Sequence, residues 1–420
     1  MADLRTINQL ARVEGHGRIR LEQQAGRVVG ARIELYESMR LFEALVVGRR
    51  YDEIADIVCR ICSICSTVHK VAALQAVERA LNLSVSQQTE LLRQLAVQGG
   101  QIESHALHLF CLALPDYLGC NGFPELAQRA PAELKRGLEI KALGNRIQEL
   151  VGGRAIHPFN LLLGGLGSIP TADSLALLAD QLQELLPAAL ATIELAAGLE
   201  ESLPALPPLP GCAATDGPSL FGEQLATTDG QQIVACGAYA WLDERLTDYS
   251  HAKVSRFSEH GPYLAGPLAR LNLHAPLEPS AQTALHHYAP RLLGAPLTAS
   301  HLARAIELLQ AIERALTLCK NLLQNRVQPE QATSVLPRAG SGTALIEAPR
   351  GLLLHQYCFS ADGRCTAAQV VTPTAINQGA MAAMLTALVE RLPDAAPDTF
   401  KLQAERLIRC FDPCISCAVH

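Results

Sequence analysis

Between Leu4 and Tyr36 apolar and polar positions alternate, with Ile19 and Leu21 in one run and Val28, Val29, Ala31, Ile33 and Leu35 in the next. A period of two suits a half-buried strand, and Gly26 between the runs suits a turn, so the pattern predicts a small antiparallel sheet. From about Arg40 the pattern turns Leu- and Ala-rich, and it predicts helices over 70–81, 88–117, 132–151, 174–200, 299–325, 375–391 and 400–408. In one of these, Leu302, Ile306, Leu309, Ile312 and Leu316 recur at spacings of three and four, with Ser300 available as a cap. Pro204, Pro207, Pro208, Pro210 and Gly211, within Leu203 to Pro218, exclude a helix interior and predict a loop between two helical halves. The stretch 220–275 is mixed, with a strand predicted from Gln232 to Trp241, and Gly340-Ser-Gly-Thr precedes a strand-like run to Val371. The predicted class is mainly α (α+β): a core of long bundled helices with small peripheral antiparallel sheets. The chain divides into an N-terminal sheet 1–38, a helical core 40–202, a proline-rich loop 203–218, a mixed segment 219–298 and a C-terminal helical part 299–420.

Composition narrows the class. A chain of 420 residues is long for one simple domain, so two packed lobes or one elaborated core are expected. Hydrophobic residues at 49% against 18% charged exclude a disordered chain. A net charge of −6, with aromatics at 4%, gives neither the basic footprint nor the stacking surface of a nucleic-acid binder. No run approaches the ~18 apolar residues of a membrane span. Mean hydropathy is slightly positive, +0.15, which hints at surface covered by a partner. The first residues lack the layout of a secretory signal, and thirteen clustered cysteines read as metal or redox chemistry in a reducing cytoplasm.

Two cysteine clusters carry the chemistry. The first is Cys59-Arg-Ile-Cys62-Ser-Ile-Cys65-Ser-Thr-Val-His69; the second is Cys410-Phe-Asp-Pro-Cys414-Ile-Ser-Cys417-Ala-Val-His420. A CxxC lets two thiolates converge on one metal from a single turn, and two such pairs, each followed by a histidine, form a much stronger signal than one. A structural zinc site is one reading, although zinc ribbons draw their ligands from nearby segments. The first cluster lacks the fourth cysteine of a ferredoxin run. The second has the CxxxCxxC spacing of radical-SAM enzymes but no chain after it to build their barrel.

R-x-C-x-x-C-x-x-x-H near the start and D-P-C-x-x-C-x-x-H at the end resemble the large subunit of [NiFe]-hydrogenases. Arg12-Val-Glu14-Gly15-His16 resembles the family's R-x-E-G-H, and Gly152-Gly-Arg-Ala-Ile-His157-Pro158 its G-G-x-x-x-H-P. Glu347-Ala-Pro349-Arg350-Gly351 and Pro373-Thr374-Ala-Ile-Asn377 resemble E-A-P-R-G and P-T-x-x-N, and Glu43 lies where the family has the acid of R-x-x-E. The resemblance covers residues 12 to 420 and implies a single large-subunit domain over 1–420.

It also implies a function: reversible heterolytic cleavage of dihydrogen, which needs an electrophilic metal, a base and an electron exit. Soft thiolates suit nickel and low-spin iron. By resemblance Cys62 and Cys414 are terminal nickel ligands, while Cys65 and Cys417 bridge nickel to an iron that carries carbon monoxide and cyanide. Glu14 takes the proton from Cys414. Arg350 lies over the open metal face with Pro349 and Thr374 beside the diatomic ligands, and Asp412 holds the arginine, or alternatively serves as an Asp-Pro turn starter. His69 donates to a bridging sulfur or is simply a hydrogen-bonded core histidine. His157 faces a partner's iron–sulfur cluster. His420, Glu43 and a backbone carbonyl, most nearly that of Val370, hold a magnesium-type ion. The family precursor is trimmed after this histidine by an endopeptidase, with maturation proteins supplying the metals, and ending at His420 fits the trimmed form.

Ser63 stands where the family has glycine, Ile376 where tryptophan is common, and Ser104 about where relatives place an acid. Cys59 and Cys410 are expected to be packed thiols, and Cys111, Cys120, Cys212, Cys236, Cys319, Cys358 and Cys365 to be structural. With four cysteines assigned to metal, no complete iron–sulfur set remains. That implies a small iron–sulfur subunit, with further electron-transfer subunits carrying a flavin or NAD(P) site. The acceptor is expected to be soluble, such as NAD(P) or ferredoxin. A hydrogen sensor with little turnover is the alternative. The quinone-site subunit of complex I shares the fold but lacks the four cysteines.

Overall fold

The N-terminal alternation builds a three-stranded antiparallel sheet of Asp3–Ile7, Gly17–Gln24 and Arg27–Leu35, in sequence order. Ile19, Leu21, Val28, Ile33 and Leu35 are buried on one side. Glu34 is also buried, where it receives Arg18 at 2.7 Å, Arg20 at 2.9 Å and Arg32 at 2.9 Å, so its charge is compensated rather than stranded. This computed structural model describes residues 3–7, 10–25, 27–199, 203–209, 211–216, 220–257, 261–273 and 277–420. Gly26, Pro210, Pro218 and the predicted helix end at 200 lie outside them.

The predicted helices form at Ser66–Leu81, Gln87–Ala106, Pro131–Gly152, Ala172–Ala197, Ser300–Gln324, Pro373–Arg391 and Pro397–Phe411. The Ser86 hydroxyl caps the second of them by accepting from the Thr89 N–H at 3.0 Å. Ser300 does not cap its helix. A 3₁₀ turn at Leu297–Ala299 leads in, and Ser300 is already the first helical residue. The Ser300–Gln324 helix packs on Ala172–Ala197 and on Gln87–Ala106, which in turn packs on Pro131–Gly152.

Three segments depart from the sequence pattern. The predicted 88–117 helix passes through a π-helical stretch, Leu107–Ala113, before ending at Leu118. Such a stretch inserts residues into the turn and rotates those that follow, which a 3.6-residue period cannot reveal. The predicted strand 232–241 is strand only over Gln232–Val234; Ala235–Leu242 is helix, as its three alanines favour. The run after Gly340 becomes three strands, Gly340–Ala348, Gly351–Phe359 and Cys365–Val371, joined by Phe221–Gly222 at the far edge.

This last sheet is not at the periphery: its two longest strands are almost wholly buried and lie against the Ser66–Leu81 helix. Gly340 and Gly342 allow that approach, since a Cβ on either would strike the backbone oxygen of Ala80 or Ala76. Apolar side chains from the N-terminal sheet, the helix bundle and the C-terminal segment join in one contiguous core. A smaller cluster holds Phe257, Tyr263, Leu354 and Ile376, with Trp241 edge-on to Phe257 at 5.3 Å between centroids. No helix among the described residues is long and apolar enough to cross a membrane.

Candidate metal centre

Each cysteine pair is delivered by a sharp change of backbone direction. Cys62 is extended at the end of the 3₁₀ turn Cys59–Ile61, and Cys65 caps the Ser66–Leu81 helix. The Cys65 N–H, at the start of that helix, donates to the Cys62 sulfur at 3.5 Å. Asp412 ends the Pro397–Phe411 helix in the left-handed region at φ 49°, before Pro413, and turns the chain so that Cys414 points back into the core.

The four sulfurs of Cys62, Cys65, Cys414 and Cys417 lie within 4.8 Å of one another, all buried. Cys65 and Cys417 are 3.2 Å apart, Cys414 and Cys62 3.5 Å, and Cys414 and Cys417 2.7 Å. All thirteen cysteines are free thiols. Hydrogen bonds from Cys414, Cys417 and Cys65 hold the Cys62 thiol well below its ordinary value, while burial pushes Cys414 and Cys417 well above theirs. Four thiolates in one dry pocket would need cations, and this donor set fits soft metal ions that replace the thiol protons. Cys59 and Cys410 are buried near the cluster as expected, whereas among the scattered cysteines Cys236 is exposed.

Glu14 reaches the site from the opposite end of the chain. It forms a parallel bridge with Cys414, and its carbonyl accepts the Ile415 N–H at 2.9 Å. Gly15, at φ +84°, makes this contact feasible, because a Cβ there would lie 2.8 Å from Cβ of Ile415. Oε2 of Glu14 is 3.1 Å from the Cys414 sulfur and accepts the Ser416 N–H at 3.0 Å, while Oε1 accepts the Ser416 hydroxyl. Burial, and then the Cys62 charge, raise its pKa above the usual carboxylate value. The Ser416 hydroxyl is also 3.4 Å from Oε1 of Glu37, whose side chain is 23% exposed. Sequence reasoning missed both Ser416 and Glu37. Ser416 is one of the two residues that the CxxC spacing leaves unspecified, and only folding brings Glu37 beside it.

Pro349 and Arg350 form the two-residue turn of a buried hairpin closed by Ala348 and Gly351. The Arg350 guanidinium donates from Nε to the Asp412 carbonyl at 2.8 Å and lies 3.2 Å from its carboxylate through Nη2. Its Nη1 is buried without a partner among the described residues, a donor left free for a ligand. Asp412 also meets His108 at 3.0 Å and Arg304 at 3.6 Å. His108, from the π-helical stretch, thus reaches the site from that helix run; the Ser104 hydroxyl is buried without a partner among the described residues. Thr374 accepts the Cys414 N–H at 2.9 Å, so it fixes a cysteine backbone. His69 lies 3.7 Å from the Cys417 sulfur through Nε2.

His420 is buried; its Nδ1 meets the Cys417 carbonyl at 2.5 Å, its Nε2 lacks a hydrogen-bond partner among the described residues, and Glu43 lies 3.8 Å from Nε2. Burial would raise the Glu43 pKa, but His420 and Lys253 outweigh it and hold the group at about 2. Val370, whose carbonyl the sequence resemblance points to, donates its N–H to Glu43 at 2.8 Å, which brings its backbone beside that carboxylate. Lys253 bridges Glu43 at 2.7 Å and the buried Glu244 at 3.3 Å, a pair that no motif in the sequence marks. His157 sits at φ 53° with its N–H on the Ser66 hydroxyl at 3.0 Å and its ring on the Cys59 carbonyl at 3.1 Å, so it abuts the first cysteine turn.

A helix bundle enclosing four thiols, a carboxylate on one of them and an arginine with a donor free among the described residues forms a buried pocket whose donors suit metal ions. The match to the model of the nickel-dependent hydrogenases spans residues 40–136 and 222–420, and the chain belongs to that family. It is 36% identical to the alpha chain of sulfhydrogenase 2 from Pyrococcus furiosus, over 99% of this chain and 98% of that protein. It is 29% identical to an F420-non-reducing hydrogenase vhu subunit of Methanocaldococcus jannaschii, over 88% and 95%. The crystal structure of an NAD+-reducing [NiFe]-hydrogenase in the H2-reduced state superposes with a TM-score of 0.89 at 25% identity, covering 100% of this chain and 99% of that one. The [NiFeSe]-hydrogenase of Dm. baculatum shares the fold, with a TM-score of 0.79 at 24% identity. The protein is thus a catalytic large subunit of the [NiFe]-hydrogenase type, an oxidoreductase acting on dihydrogen.

Proposed function

We propose that residues 1–420, as one large-subunit domain, cleave dihydrogen reversibly at a centre held by Cys62, Cys65, Cys414 and Cys417. The convergence of the four sulfurs, with Glu14 3.1 Å from Cys414, carries this reading. Cys62 and Cys414 would be terminal nickel ligands, and Cys65 and Cys417 would bridge nickel to an iron bearing carbon monoxide and cyanide. The metal pair would supply the electrophile that polarises dihydrogen. Glu14 takes a proton from the Cys414 sulfur and passes it through the Ser416 hydroxyl to Glu37 and on to solvent; the unbroken contacts among these groups support that route. Arg350, steadied by Asp412, offers Nη1 to a cyanide, with Pro349 shaping the turn. The free Nε2 of buried His420, facing Glu43, suits a magnesium-type ion near Val370.

Electrons would leave past His157 to a small subunit carrying iron–sulfur clusters. Ile156 and Phe159, exposed on either side of His157 in the chain, support a docking face there. The likeness to sulfhydrogenase and NAD+-reducing enzymes favours further subunits with a flavin or NAD(P) site, a soluble acceptor and a cytoplasmic location. Maturation proteins and an endopeptidase would load and finish the site.

Infrared spectroscopy of the matured protein tests the reading: one metal-bound carbonyl band and two cyanide bands are expected. Cys62→Ser or Cys414→Ser should erase them together with dihydrogen–deuterium exchange. A blank spectrum from protein replete with metal, especially zinc without nickel, would overturn the reading.

A further inference from the structure

We infer that Tyr357 and His355 are positioning residues that hold His69 in the tautomer donating from Nε2 to the Cys417 sulfur. The inference rests on the reading of Cys417 as a metal-bound thiolate. His355 and Tyr357 lie two residues apart on the Gly351–Phe359 strand, so they share a face, and His69 comes from the helix packed against that strand. The contacts run in one line. The Tyr357 hydroxyl is 2.6 Å from Nδ1 of His355, Nε2 of His355 is 3.0 Å from Nδ1 of His69, and Nε2 of His69 is 3.7 Å from the Cys417 sulfur. All three side chains are buried, Tyr357 and His355 completely.

The ends of this line decide its direction. An uncharged imidazole has one donor and one acceptor, so two linked rings must both point the same way. A thiolate can only accept, which requires His69 to present N–H from Nε2 and to accept at Nδ1. His355 must then donate from Nε2 and accept at Nδ1, which meets the hydroxyl hydrogen of Tyr357. The reverse order would turn a lone pair on the sulfur and leave that hydrogen buried without an acceptor, a loss at both ends. Only one arrangement satisfies every group, and hydrogen bonds so aligned polarise one another toward the sulfur. The line would drain electron density from one bridging thiolate alone.

The test uses the matured, complete complex and reads the metal-bound carbonyl and cyanide bands together with the midpoint potential of the centre. Tyr357→Phe keeps the packed ring and removes only the hydroxyl. The bands should move to lower wavenumber and the potential to more negative values, because a less strongly hydrogen-bonded sulfur donates more density. His355→Leu should shift both further, and His355→Gln, whose amide can still donate to His69, should recover part of the change. Bands and potential unmoved in both Tyr357→Phe and His355→Leu would overturn the inference. Absence of diatomic bands in metal-replete wild type would instead sink the hydrogenase reading on which it depends.

Discussion

Glu14 uses its two oxygens differently, and that division would give the proposed proton route its direction. Oε2 meets the Cys414 sulfur and a backbone N–H, while Oε1 faces the Ser416 hydroxyl, which leads toward solvent. Glu14→Gln keeps the shape but cannot carry a proton. We expect exchange between dihydrogen and heavy water, followed by mass spectrometry, to fall roughly 10²- to 10⁴-fold while the infrared bands persist. Ser416→Ala should fall between this variant and wild type. Normal exchange in Glu14→Gln would send the proton by another path. At this scale the sequence displayed the four cysteines that converge, because metal chemistry ties residue type to spacing. It hid Ser416, Glu37, His108 and Lys253, whose roles depend only on where the fold brings them.

The hairpin turn that aims Arg350 is itself held by charge. Arg270 reaches the carbonyl of Ala348 at 3.1 Å and that of Pro349 at 3.4 Å, and it pairs with Glu347 at 2.5 Å and Glu307 at 2.5 Å. Burial would raise the Glu307 pKa, but Arg270 and His105 hold it at about 2. Its folded pKa lies below the unfolded value, so its stabilisation is complete above about pH 4.5 and is lost as pH falls toward 2, on the order of 3 kcal/mol. Thermal melts of wild type should fall over that window, and Glu307→Gln, less stable at neutral pH, should fall less; parallel curves would refute the assignment. Gly342→Ala should cost about 1–3 kcal/mol by forcing the buried sheet off the Ser66–Leu81 helix, a melting shift checked by calorimetry. An unchanged melt would show that the helix gives way freely. The long helices were legible because one-sided burial writes a 3.6-residue period. The inner sheet read only as a strand-like run because burial on both faces erases the alternation that marks a strand. The π-helical stretch breaks the period without breaking the composition.

The whole chain is arranged around a site that no single segment owns. Glu14 comes from its beginning, two thiols from the start of a central helix, Arg350 from a buried hairpin, and two thiols from residues 407–420, all of which are buried. The class of fold was legible from the sequence because helical periodicity dominates it, and the joining of the ends was signalled only by matching cysteine pairs. A site buried this deeply needs an electron exit, and the surface nearest the first cysteine turn supplies a candidate. There Phe159 is 58% exposed and Ile156 46%, on either side in the chain of a histidine hydrogen-bonded to the Cys59 carbonyl. Exposed aromatic and aliphatic side chains clustered at one place are what a permanent partner covers, and a central aromatic contributes most. Phe159→Asp puts an unpaired charge in that face. It should weaken retention of the proposed small subunit at least roughly tenfold, measured by co-purification and sedimentation, while leaving the expected carbonyl and cyanide bands of the large subunit in place. A stoichiometric complex surviving dilution in Phe159→Asp would move the docking face, and with it the electron exit, to another side of the molecule.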